Sequence, residues 1–145
     1  MMTPIRFSFE AILLGAVALL LPGCGESSDA RRAEVRGVVT LDGESISKGT
    51  ITFFPTAGNQ GPATGGTIQD GHYHLSRADG PFVGKNRIEI SAPRKTGQKV
   101  PWPRNPNKMV DEIVESVPPQ YNEESTLVRE VQQGPNVLDF ELRSP

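Results

Sequence analysis

Val35-Arg36-Gly37-Val38-Val39-Thr40-Leu41-Asp42-Gly43 opens a series of short apolar alternations separated by turn residues. Val35, Val39 and Leu41 alternate with Arg36, Val38 and Thr40. A period of two places successive side chains on opposite faces of an extended chain, so this segment predicts a half-buried strand. Asp42-Gly43 then turns the chain, because both residue types tolerate the backbone of a tight turn.

The pattern continues downstream. Ile51 and Phe53 alternate with Thr50, Thr52 and Phe54 up to Pro55, and residues 56–62 form a Gly/Asn/Pro loop. A weaker strand spans residues 63–68 and meets a second turn at Asp70-Gly71. Tyr73 and Leu75 share a face within residues 72–77, and Asp79-Gly80-Pro81 turns again. Residues 85–92 point Ile88 and Ile90 inward and Arg87 and Glu89 outward. Residues 126–131 read as another strand, followed by a turn at Gly134-Pro135. Leu138, Phe140 and Leu142 then alternate with Asp139 and Glu141. About seven short strands with almost no helix predict an all-β fold, an antiparallel β-sandwich occupying residues 34–143. The stretch at 93–124 breaks the alternation with six prolines and two opposite charge blocks. It is expected to be an irregular insertion with an extended, polyproline-like path. Only Asp111 to Val117 could make a helical turn or two, ended by Pro118-Pro119.

The N-terminal residues predict an export leader at 1–23. Arg6 supplies a weak positive region, Ala11 to Leu21 is apolar, and Gly23 places a small side chain before Cys24 in a Leu21-Pro22-Gly23-Cys24 box. The apolar run is shorter than the roughly 20 residues a bilayer-spanning helix needs. Cys24 is the only cysteine and is the expected lipidation site. Its sulfur would take a diacylglycerol as a thioether, and the amine freed by cleavage would be acylated. Two or three chains anchor stably at about 0.8 kcal/mol per buried CH₂. Residues 24–33 then read as a flexible, polar tether. The expected location is a bacterial membrane, with the domain facing the periplasm or cell surface. Gly25 in place of Asp favours the outer membrane.

The leader carries away only Arg6 and Glu10, so the remainder keeps the near-neutral balance of the whole chain, −2. Nucleic acid, which selects a basic face, is therefore not an expected partner. With Cys24 lipidated no disulfide can form, and the domain depends on its core alone. The 15 glycines and 13 prolines of the whole chain mostly punctuate apolar segments, which fits turns and not disorder.

Beyond periodicity, Val35 to Gly43 together with Gly49-x-Ile51-x-Phe53-x-Pro55, Asp70-Gly71-x-Tyr73-x-Leu75 and the strand after Gly84 resembles the carboxypeptidase regulatory-like, or transthyretin-like, β-sandwich. The likeness is greatest to small planctomycete lipoproteins. It extends to Pro119-x-Tyr121-Asn122-x-x-Ser125-Thr126-Leu127 and Asn136-x-Leu138-x-Phe140-x-Leu142, and Lys85-Asn86 departs from the aromatic common before that strand. The resemblance implies fold and lipid anchoring, and no reaction. Such domains are non-catalytic beside carboxypeptidases. The related hydroxyisourate hydrolases end in Tyr-Arg-Gly-Ser, whereas this chain has Leu142-Arg143-Ser144-Pro145.

Two candidate sites emerge. His72 and His74, two apart on a strand, would share a face and could ligate Zn²⁺ or Cu²⁺ with Asp70 or Asp79, but without an obvious third ligand an exposed pair beside a turn is the favoured reading. Arg94, Lys95, Lys99, Arg104 and Lys108 stand without an intervening acid around Trp102. Cations beside an aromatic suit a carbohydrate, an anionic polymer or lipid headgroups. Alternatively, these cations pair with Asp111, Glu112, Glu115, Glu123 and Glu124, and Trp102 caps the sandwich edge. Tyr121 and Asn122 are expected to be structural, and the glycines to be turn or bulge residues. No Gly-x-Ser-x-Gly or other nucleophile arrangement is present, so neither a catalytic residue nor a cofactor is expected. The resulting expectation is a membrane-anchored, non-catalytic interaction or envelope-structural module, touching an envelope protein or polysaccharide. The alternatives are a polymer-binding module at Trp102 and a metal site at His72 and His74.

Overall fold

The computed structural model describes residues 31–56 and 58–145. The leader, Cys24 and most of the tether lie outside the described residues. Eleven strands form in chain order: β1 Val35–Leu41, β2 Glu44–Ser45, β3 Lys48–Pro55, β4 Thr64–Gln69, β5 His72–Leu75, β6 Gly84–Ser91, β7 Pro93–Trp102, β8 Asn105–Glu115, β9 Val128–Val131, β10 Asn136–Val137 and β11 Phe140–Leu142. A 3-10 turn spans Pro119–Tyr121. The described residues contain no α-helix, so the all-β expectation holds.

Nine strands make one curled sheet, seven in the order β10-β1-β5-β4-β3-β6-β9 and two more, β2 and β11, paired to β1. Most neighbours run antiparallel. β1 differs, taking β10 and β11 in parallel along one edge, and β5 and β2 antiparallel along the other. The curl brings the outermost strands β9 and β10 together, joined by a short turn. There the fully charge-free Asn136 side chain donates to the carbonyls of Gln132, Gly134 and Glu34 and accepts from Gln132 N–H.

Both Asp-Gly signals form the turns they predict. Asp42 and Gly43 have φ of 53° and 86°, and Asp70 and Gly71 have 48° and 80°. Positive φ at both central residues matches the right-handed twist of the flanking strands. The alternation also holds. Ile51 faces Ile90 and Phe53 faces Ile88 across β3 and β6, all fully buried. Tyr73 lies between Phe53 and Phe140, with ring centroids 6.3 and 6.2 Å away. Each such side chain contributes about 1.5–3 kcal/mol by leaving water.

The segment at 93–124 departs from expectation. It is not an irregular insertion: β7 and β8 pair as a long antiparallel ribbon, and Asp111 to Glu115 is strand, not helical turn. A two-stranded ribbon has two free edges, so prolines cost it little. Pro93 begins β7, and Pro101 and Pro106 flank the register shift near the tip. Val110, Ile113 and Val114 add β-branched side chains that favour an extended chain.

Candidate functional site

The β7–β8 ribbon pairs with no other strand. Its strands of 10 and 11 residues give an arm about 30 Å long at the usual rise per residue. The arm is clamped only at its root. Glu115 accepts hydrogen bonds from Ser91 Oγ (2.6 Å), Ala92 N–H (2.8 Å) and Val117 N–H (2.9 Å), and Ser116 N–H donates to the Ala92 carbonyl. Burial pushes the Glu115 carboxyl up, but the donors from Ser91, Val117, Ala92 and Ser116 outweigh it and hold the group below its ordinary range.

Register divides the arm into two faces. Lys95 lies opposite Ile113, Lys99 opposite Asp111, and Pro101 opposite Met109. On this face Asp111 receives both Lys95 Nζ at 2.6 Å and Lys99 Nζ at 3.1 Å. The two ammonium groups, Lys95 first, lower the Asp111 carboxyl, and Asp111 in turn raises Lys95. On the opposite face Val100, Val110 and Val114 are half-buried, and Thr96 Oγ1 donates to Glu112 at 2.6 Å. Gly97, with φ of 86°, carries the bulge that shifts the register between Lys95 and Lys99.

The structure therefore separates the six candidate residues. Arg94 and Lys95 sit at the root, each lining a groove: about 450 Å³ with Glu44, Ile46 and Ser116 for Arg94, and about 460 Å³ with Thr50, Thr67 and Ile113 for Lys95. Lys99 is engaged by Asp111 midway along the arm. Trp102, Arg104 and Lys108 gather at the tip. Trp102 is 37% exposed, ends β7 opposite Asn105, and has the Lys108 ammonium 5.2 Å from its ring centre. Trp102 thus belongs to the arm and does not cap the sheet. Among the described residues neither Arg104 nor Lys108 has an ion-pair partner. Of the acids named for charge pairing, Asp111 alone takes that role. Glu112 and Glu115 bind hydroxyl and backbone donors instead.

Sequence reading overlooked Met109, 50% exposed, and Ile113, 62% exposed. Local periodicity did not flag them: Met109-Val110, Asp111-Glu112 and Ile113-Val114 come as like pairs, so the apolar/polar alternation of a half-buried strand is missing.

His72 and His74 do share an exposed face of β5, with Tyr73 and Leu75 buried on the other. His74 Nε2 lies 3.1 Å from Glu34 Oε1. Asp79 accepts from Ser76 Oγ, and Asp70 occupies its turn. Among the described residues no group of three or more His, Cys, Asp or Glu side chains is gathered to hold a metal. Tyr73 donates its hydroxyl to the Leu138 carbonyl at 2.7 Å. Tyr121 packs partly buried against the core, and Asn122 accepts from Ser125 N–H through its carbonyl.

No family model matches the chain, and no curated protein is similar to it. Among solved structures, a 9R-lipoxygenase from Cyanothece PCC8801 aligns over 97% of this chain at 11% identity, with a TM-score of 0.34. The chain spans 18% of that enzyme, and a likeness of this size carries no argument about fold or activity.

Proposed function

We propose that the chain is a lipid-anchored, non-catalytic interaction module of a bacterial envelope. In this reading residues 1–23 are removed, Cys24 carries the lipid, and a transthyretin-like sandwich faces the periplasm or cell surface, on the outer membrane. The β7–β8 arm is its binding element. One observation carries the proposal: a long ribbon outside the main sheet exposes Ile113 near its root and, at its tip, Trp102 and Met109 with two cations that have no ion-pair partner among the described residues. Apolar side chains concentrated on a projecting element are characteristic of contact surfaces. The alternative of a carbohydrate-stacking site is less well supported, because the Lys108 ammonium already lies over the Trp102 ring.

The test is affinity capture from native membranes, comparing the full chain with one in which Arg94–Val114 is replaced by a tight turn. Partners lost with the arm, while mass spectrometry still finds acylated Cys24, support the reading. Retention of every partner by the shortened chain overturns the role of the arm, and an unmodified Cys24 overturns the anchor.

A further inference from the structure

The strand registers fix which end of the molecule bears the arm. β1 starts at Val35 beside Leu75, and residues 31–33 are held there by Pro81, Phe82 and Gly80. This is the end at which β3 finishes with Pro55 and β6 begins with Gly84. The arm leaves from the opposite end, where β6 finishes at Ser91 beside Thr50 and where Leu41 and Glu44 lie in the root groove. The tether thus joins one end of the sheet and the arm the other.

The tip composition specifies a surface. From Gln98 to Val110 the chain carries Lys99, Arg104 and Lys108 and no carboxylate. Lys99 is engaged by Asp111, and Arg104 and Lys108 stand free of ion pairs among the described residues. Trp102 and Met109 are exposed beside them. A dissolved polyanion would satisfy the cations but leave both apolar side chains in water. The boundary between headgroups and acyl chains satisfies both, since it pairs phosphate with cations and buries apolar groups.

We propose that the tip of the arm docks on an anionic phospholipid surface facing the membrane to which the chain is tied. This rests on the anchored-module reading above and names what the arm touches. Arg104 and Lys108 meet lipid phosphates, while Trp102 and Met109 enter the interface beneath them.

Trp102 is the only tryptophan, so its emission reports the tip alone. The full chain is reconstituted into phosphatidylcholine vesicles, and acceptor vesicles of phosphatidylglycerol with bromine-labelled acyl chains are added. Expected is a blue shift and quenching of Trp102 by the acceptors, absent with phosphatidylcholine acceptors. Arg104→Gln with Lys108→Gln should weaken the response more than tenfold, at about fivefold per cation, and Met109→Ser should reduce the quenching. No response, quenching only from bromine-labelled donor vesicles, or a shift with soluble polyphosphate but not with acceptors each overturns the proposal. Flotation of the donor vesicles reads the anchor separately, so failure of the anchor and failure of the docking are distinct results.

Discussion

A methyl group at position 37 would overlap the carbonyl oxygen of Leu138. Gly37 is needed there because the Leu138 backbone occupies the space a side chain would take, and next to it Val38 N–H donates to Asp139 Oδ1 at 2.8 Å. Gly37→Ala should therefore lower stability by about 1–3 kcal/mol, as overpacking does, read as a reduced urea midpoint. Tyr73 secures the same seam from inside. Burial foremost, and the Asp139 charge second, hold its phenol protonated well above its ordinary range. Tyr73→Phe leaves the Leu138 carbonyl without that donor and should cost about 1 kcal/mol, again visible in the urea midpoint. That position 73 faces inward was legible from Tyr73-x-Leu75. Its hydroxyl partner was not, because Leu138 lies 65 residues away.

At the level of the element, the arm is a ribbon held by one carboxylate. Glu115 has a folded pKa below its ordinary 4.5, so the stability it adds is fully present above about that pH. It is lost as pH falls through the lowered folded value. The arm root should accordingly loosen in acid, with faster amide exchange at Ala92 and Val117 than in the core. Glu115→Gln should loosen the root already at neutral pH and flatten this acid response. Asp111, lowered by Lys95 and Lys99, adds a weaker exposed contribution in the same direction. Four prolines between residues 93 and 106 concealed the ribbon in the sequence. They read as strand breakers, and only the absence of neighbouring strands makes them tolerable.

For the whole molecule, the arm and the core are separable. The buried set centred on Phe53, Tyr73 and Phe140 belongs to the main sheet, and the arm contributes no residue to the core except through its root at Ala92 and Val117. Replacing Arg94–Val114 by a turn should leave the thermal midpoint within a few degrees. Phe53→Ala should cost about 3–5 kcal/mol and unfold the domain at markedly lower temperature. The sequence by itself determined the longer strands of the main sheet, the two Asp-Gly turns and most inward positions, because each follows from local periodicity or from the φ tolerance of one or two residues. Only the tertiary structure decided that β1 takes partners in both directions, that Asn136 ties the turn after β9 to Glu34 ahead of β1, and that the basic segment stands out as an arm at the end opposite the tether. Those outcomes depend on pairings between residues as much as 102 positions apart, and no local pattern encodes which distant strand a given edge will choose.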